Sequence, residues 1–144
     1  MLRVLSRIQG ETATAGPLHW YPGQFRKRFP NDELAPALAR SALAATAIGI
    51  PDDAFEAGAL LTSELVTNSV RHSASLWIEV AIVLTAEVLR IAVADSNGES
   101  SLRPRTADTR GGWGLTLLGE LANRWGVDRH DGGKVIWTEL DLSA

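Results

Sequence analysis

The stretch from Asp32 to His72 constrains this chain most, because two helical patterns follow one another there with only a Gly-Ile-Pro break between them. Leu34, Leu38, Ala42, Ala45 and Ile48 recur at three- and four-residue steps and stop at Gly49, which predicts an amphipathic helix over Asp32 to Ile48. Pro51, Asp52 and Asp53 then open a second helix running to about His72. A proline needs no N–H donor in a first turn, and the two carboxylates complement the positive helix end.

The flanking segments change period. Phe25 to Phe29 alternates aromatic and basic residues and stops at Pro30, as a short edge strand does. Leu76 to Leu84 and Val88 to Val93 are rich in Ile, Val and Leu, with Thr85-Ala86-Glu87 between them, which predicts a β-hairpin. Ser96 to Gly112 has no apolar periodicity and reads as a long loop. Leu115 to Trp125 is predicted helical, with Leu115, Leu118, Leu121, Ala122 and Trp125 on related faces. Asp131-Gly132-Gly133 is a strong turn signal before a last strand, Val135 to Leu142. This order predicts an α+β protein, a two-layer α/β sandwich with helices on one face of a mixed sheet, and disfavours a doubly wound parallel sheet. Residues 1–24 lack periodicity and read as a mobile N-terminal leader, leaving 25–144 as one domain. With 45% apolar residues, 144 residues suffice for one real core.

Charge and composition remove several function classes. A net charge of −3 and a pI near 5.6, with both signs interspersed, give no electrostatic footprint for direct nucleic-acid binding or an anionic membrane. Without cysteine there is no disulfide, thiolate metal site or Cys nucleophile. Ser6, Arg7, Gln9 and Glu11 interrupt the apolar start of the chain, and no run approaches the roughly 20 apolar residues of a membrane span, so a cytoplasmic location is expected. A zinc site from His19, His72 and His130 lacks any ligand spacing.

Three polar features carry the candidate chemistry. On the second helix Leu61, Glu64, Leu65, Asn68 and His72 fall on one arc, with Val66 and Val70 opposite. The four-residue step brings Glu64 and Asn68 together, either as oxygen ligands for a hard cation such as Mg²⁺ or as a solvated, helix-bonded pair. Asp95 ends a strand and opens Asp95-Ser96-Asn97-Gly98; it is either an acceptor for an exocyclic amine, with Asn97 and Gly98 bending the backbone around a base, or the start of an Asx turn. Arg110-Gly111-Gly112-Trp113-Gly114-Leu115 lies at the mouth of a helix, where close backbone approach and free N–H groups suit phosphate; the alternative is a flexible hinge. No Gly-Lys-Ser/Thr occurs, so this is not a P-loop.

In that order, the runs Leu61 to His72, Val93-Ala94-Asp95-Ser96 and Gly112-Trp113-Gly114-Leu115 resemble the ATP-binding domain of the GHKL superfamily, closest to the branch of bacterial anti-sigma factors with serine kinase activity. Trp125-Gly126-Val127 and Gly133-Lys134-Val135-Ile136-Trp137 are similar to that branch too. The resemblance implies ATP and Mg²⁺ as cofactors, with Asn68 as the metal ligand and Glu64 as the base that takes a proton from the attacking group. It places adenine recognition on Asp95 and extends the cofactor-binding set to His72, Asn97, Gly98, Arg110, Gly111, Gly112, Trp113, Gly114 and Leu115. Asn97 and Glu99 depart from the Asp-x-Gly-x-Gly pattern, and Val135 stands where many members have a threonine that helps hold adenine, with Thr138 nearby. The implied function is a protein serine/threonine kinase and switch, with a sigma factor and/or an anti-sigma factor antagonist as partner and a homodimer as its assembly. The second reading is a non-catalytic ATP-gated protein-binding module. A histidine kinase is set aside, since the chain has no room for a dimerisation helix bearing a phosphoacceptor His.

The same resemblance makes Ser96 to Gly111 an ATP lid, expected to be mobile without nucleotide and ordered when Arg103, Arg105 and Arg110 reach phosphate oxygens. Proteolysis within this loop should slow when Mg·ATP saturates the protein. Equal cleavage rates with a nucleotide that demonstrably binds would remove the lid assignment.

Overall fold

The structure, a computed structural model, describes residues 24–73, 75–95, 118–130 and 133–142. The described elements are β1 (Gln24–Pro30), α1 (Ala35–Thr46), α2 (Asp52–His72), β2 (Trp77–Leu84), β3 (Val88–Asp95), β4 (Arg124–His130) and β5 (Gly133–Asp141). The strands form a five-stranded sheet in the order β1-β2-β3-β5-β4. The predicted α+β sandwich is the fold, with both helices on one face.

Each strand pairing is antiparallel, where a mixed sheet was expected. The cause is the helix pair: one crossover helix between β1 and β2 would return the chain to start a parallel strand, whereas two helices bring it back to the end it left. Asn31 fastens that end. Its side-chain Nδ2 donates to the carbonyls of Ser73 and Ser75, and its backbone N–H to that of Leu76.

The helices begin and end for local reasons. Asp32 lies outside α1, where its carboxylate accepts the Leu34 N–H at 2.9 Å, and Pro36 sits in the first turn. Gly49 takes a φ of 87°, which stops the chain from continuing as a helix. In α2, Asp52 and Asp53 lie in the first turn and Arg71 and His72 in the last, both complementing the dipole.

Alternation in the strands sorts the sheet into two faces. Ile78, Val80, Ile82, Leu89, Ile91, Val93, Ile136 and Leu140 pack under the helices with Leu43, Leu61, Leu65 and Val66. Ala81, Ala92, Ala94 and Val135 form a second, smaller apolar group with Trp137 on the other face. The helix expected through Trp125 is shorter: residues 118–121 are helical among those described, and Trp125 belongs to β4, paired with Thr138. Trp125 and Val127 alternate with Gly126 in strand fashion, and the four-residue step from Leu121 to Trp125 mimicked a helical face. The leader and the Ser96–Gly112 loop lie outside the described residues, apart from Gln24.

Two features of the outer face are open to test. A Cβ on Gly126 would lie 2.7–2.9 Å from atoms of the Trp137 ring, so Gly126→Ala should cost about 1–3 kcal/mol of stability. In a Trp137→Leu background that cost should shrink; an undiminished cost in the double-mutant cycle would show that the ring is not the obstacle. Glu139 accepts from Arg90 Nε at 2.6 Å and Arg124 Nε at 2.7 Å, and Arg124 also pairs with Asp141. Burial pushes the Glu139 carboxyl upward, but the hydrogen bonds and charges of Arg124 and Arg90 outweigh it and hold the group below its ordinary value. Since the folded-state value is the lower one, this stabilisation is complete above about pH 4.3, the unfolded glutamate value, and is lost as pH falls through the folded value. Acid unfolding of the wild type should therefore be steeper below about pH 4.3 than that of Glu139→Gln; parallel curves would contradict it.

Candidate functional site

The second helix carries a broader buried surface than one apolar stripe. Gly58, Leu61, Thr62, Leu65, Val66, Asn68 and Ser69 are all buried in α2. Val66 is fully buried and Val70 packs against the same core, where the sequence placed both on the far side. The reason is that α2 is covered twice, by the sheet and by α1, whose Arg40 donates to Ser63 at 2.9 Å on the valine side.

That shift moves Glu64 and Asn68 to the rim of the buried arc. Asn68 is 9% exposed, and Glu64, one turn earlier, is half-buried. Neither side chain has a hydrogen-bond or ion-pair partner among the described residues. The Asn68 amide atoms are not among the buried polar atoms left without a partner, so the amide still meets solvent at this rim and is open to a ligand. A hard cation such as Mg²⁺ keeps several waters and takes only one or two protein oxygens alongside phosphate, so a near-buried Asn68 amide beside a half-buried Glu64 carboxylate fits that donor requirement. Among the described residues no group of three or more His, Cys, Asp or Glu could hold a metal ion, and His19 of the zinc alternative lies outside them.

Asp95 lies at the end of β3 and is 1% exposed. Its Oδ2 accepts from Lys134 Nζ at 2.6 Å and from Ser69 Oγ at 3.3 Å. Lys134 is 0% exposed and stands directly opposite Asp95 in the β3–β5 register. Asp95 therefore closes the strand within the sheet, paired with Lys134, and the residues an Asx turn would use after it lie outside the described residues. Ser69 follows Asn68 in α2, so the helix run and the strand-end carboxylate are joined by one hydrogen bond. Sequence reasoning passed over both Ser69 and Lys134. It weighed Val135 instead, which packs with Ala81, Ala92 and Ala94 on the other face, while Thr138, on the helix side, donates to the Ile91 carbonyl at 3.5 Å.

The sequence profile of the histidine kinase-like ATPase domain matches residues 29–139, which include all five strands in whole or part, both helices, Glu64, Asn68, Asp95 and Lys134. The chain belongs to the histidine kinase-like ATPase domain family. Family membership implies an ATP site in this domain. No curated protein matches the chain. Among solved structures, the RsbU and RsbW domains of Rv1364c from Mycobacterium tuberculosis are similar, with a TM-score of 0.66 and 20% sequence identity. The match covers 84% of this chain and 33% of that one, and at this identity it shows a shared fold.

Within this histidine kinase-like domain the structure brings Asn68, Ser69, Asp95 and Lys134 to one end of the sheet, with His72 closing α2 beside them in sequence. Asn97, Gly98, Arg110, Gly111, Gly112, Trp113, Gly114 and Leu115 lie outside the described residues. No helix among the described residues is long and apolar enough to cross a membrane.

Proposed function

We propose that this chain is an ATP-binding regulatory protein of the anti-sigma-factor kinase type, which phosphorylates a serine or threonine of an antagonist protein and binds a sigma factor in another state. The observation that carries this reading is the convergence of two motifs: a near-buried, unpartnered Asn68 next to Ser69, and Ser69 bonded to the buried carboxylate Asp95. The family match supports the nucleotide, and the likeness of the Leu61-to-His72 run to the anti-sigma kinase branch supports the partner class.

In this reading Asp95 accepts from the adenine amine and Asn68 lends its carbonyl oxygen to Mg²⁺. When bound, the ion offsets negative charge on the phosphates. Glu64, at the rim and open to solvent on one side, takes the proton of the attacking hydroxyl. His72, Asn97, Gly98 and Arg110 to Leu115 complete the nucleotide contacts. A homodimer and a cytoplasmic location belong to the same proposal.

One observation favours the second reading, an ATP-gated binding module without transfer: no described residue bonds to the Glu64 carboxylate to orient it as a base. The two readings part at Glu64. Glu64→Gln keeps shape and hydrogen-bonding capacity but cannot readily take a proton, so Mg·ATP binding should survive while phosphoryl transfer falls ~10²–10⁴-fold, the usual scale for general-base loss. Asn68→Ala should weaken Mg²⁺-dependent nucleotide binding and transfer together. Equilibrium binding and single-turnover transfer to candidate antagonist proteins, on variants whose melts are normal, make the comparison. Wild-type transfer rates in Glu64→Gln would eliminate Glu64 as the base, and wild-type protein that binds nucleotide but transfers to no partner would favour the module.

A further inference from the structure

We propose that Lys134 sets the base selectivity of the site by holding Asp95 as an anion that can only accept hydrogen bonds. The proposal rests on the reading of Asp95 as the group that meets the base, and it assigns to Lys134 a positioning and specificity role rather than a catalytic one.

The geometry is that of a closed pair. Lys134 Nζ lies 2.6 Å from Asp95 Oδ2, and both side chains are withdrawn from water. The positive charge is therefore spent on one carboxylate and is not offered to solvent or to phosphates. Ser69 adds a neutral donor to the same oxygen from α2. The surroundings on the helix side of the sheet are otherwise apolar toward β2, where Ile78 and Val80 belong to the core. From β4, Arg129 occupies the register position beside Lys134, and from α2, His72 follows Ser69 by three residues. Lys134, Arg129 and His72 are thus the charged or titratable groups that the packed elements bring toward Asp95 among the described residues.

A buried carboxylate stripped of its ammonium is strongly unfavourable as an anion, and it responds by taking up a proton from solvent. The consequence is chemical as well as energetic. An ionised carboxylate only accepts, whereas a protonated one carries an O–H and donates as well. Adenine presents an amine donor at the position where guanine presents a carbonyl acceptor. An anionic Asp95 therefore favours adenine and repels guanine, while a neutral Asp95 tolerates both. Lys134 fixes which of these Asp95 is.

The test compares ATP and GTP binding by calorimetry from about pH 6 to pH 9, spanning neutrality on both sides, for the wild type, Asp95→Asn, Lys134→Met and Lys134→Gln, with thermal melts to establish folding. Lys134→Gln keeps a neutral donor of similar reach and stands in if Lys134→Met does not fold. The wild type should prefer ATP by ~10–100-fold across the range, as expected for a charge-assisted bond, and Asp95→Asn should lose that preference. The lysine variants should lose it as well. A purely structural Lys134 would lower the melting temperature and leave the ATP-to-GTP ratio unchanged at every pH. If the wild type prefers ATP, Asp95→Asn abolishes the preference and a folded lysine variant retains it throughout, the Lys134 proposal is overturned while Asp95 stands. If the wild type shows no preference, or Asp95→Asn keeps it, the Asp95 reading fails and the proposal falls with it.

Discussion

The close approach of α2 to the sheet is the contact on which the remaining geometry depends. At Gly58 the helix comes so near that a Cβ would lie 3.0 Å from Leu89 of β3 and 3.6 Å from both Leu140 of β5 and Leu43 of α1. One glycine thus lets a helix settle against two strands and a second helix at the same point, at the cost of a residue that favours helix poorly. Three turns further along α2, that seating brings Ser69 within hydrogen-bonding distance of Asp95.

The two faces of the sheet use charge differently. On the outer face the pairs are partly open to water: Arg28 lies 3.8 Å from the Trp77 ring centroid and donates to Glu79 at 3.0 Å, and Arg90, Arg124, Glu139 and Asp141 form a network. Such pairs contribute modestly one by one because water screens them, and more when several share a carboxylate as at Glu139. They also charge the surface of an antiparallel sheet whose small central residues, Ala81, Ala92 and Ala94, would otherwise leave it featureless. Under the helices the pattern is reversed: the apolar layer runs unbroken from Leu89 to Val93 on β3 and is interrupted at Asp95.

Much of this was legible in the sequence, and the exceptions have physical causes. The edge strand, the two helices, the hairpin and the α+β class followed from period and from Gly and Pro positions, because those signals are local. Glu64 and Asn68 could be paired by spacing alone. What spacing could not supply was the breadth of the buried arc: Val66 looked external because a helix covered on two sides needs apolar residues over a wider angle than one covered on one side. Trp125 was misassigned because a tryptophan four residues after Leu121 satisfies a helical template as readily as a strand. Lys134 left a usable signal. Counting back in twos from Leu140 gives Thr138, Ile136 and Lys134, so the lysine is in phase with residues that face the helices, and an in-phase lysine in a core strand requires a buried anion.

That requirement bears on why the pair exists. Replacing a buried ion pair with apolar residues of similar volume is commonly neutral or stabilising, so Asp95 and Lys134 are poor candidates for a stability device. The flanking residues on this face of both strands, Val93 on β3 and Ile136 on β5, already offer an apolar alternative. A fold under selection for stability alone would continue that pattern to the strand ends. The pair sits instead where the apolar layer stops, beside Ser69 and one residue from the unpartnered Asn68, at the end of the sheet where the polar groups converge. Among the described residues its desolvation cost is offset by the Lys134 ammonium and the Ser69 hydroxyl, and what the arrangement gains is a carboxylate of fixed position. In the proposed reading that is a property a bound base uses and a core does not need.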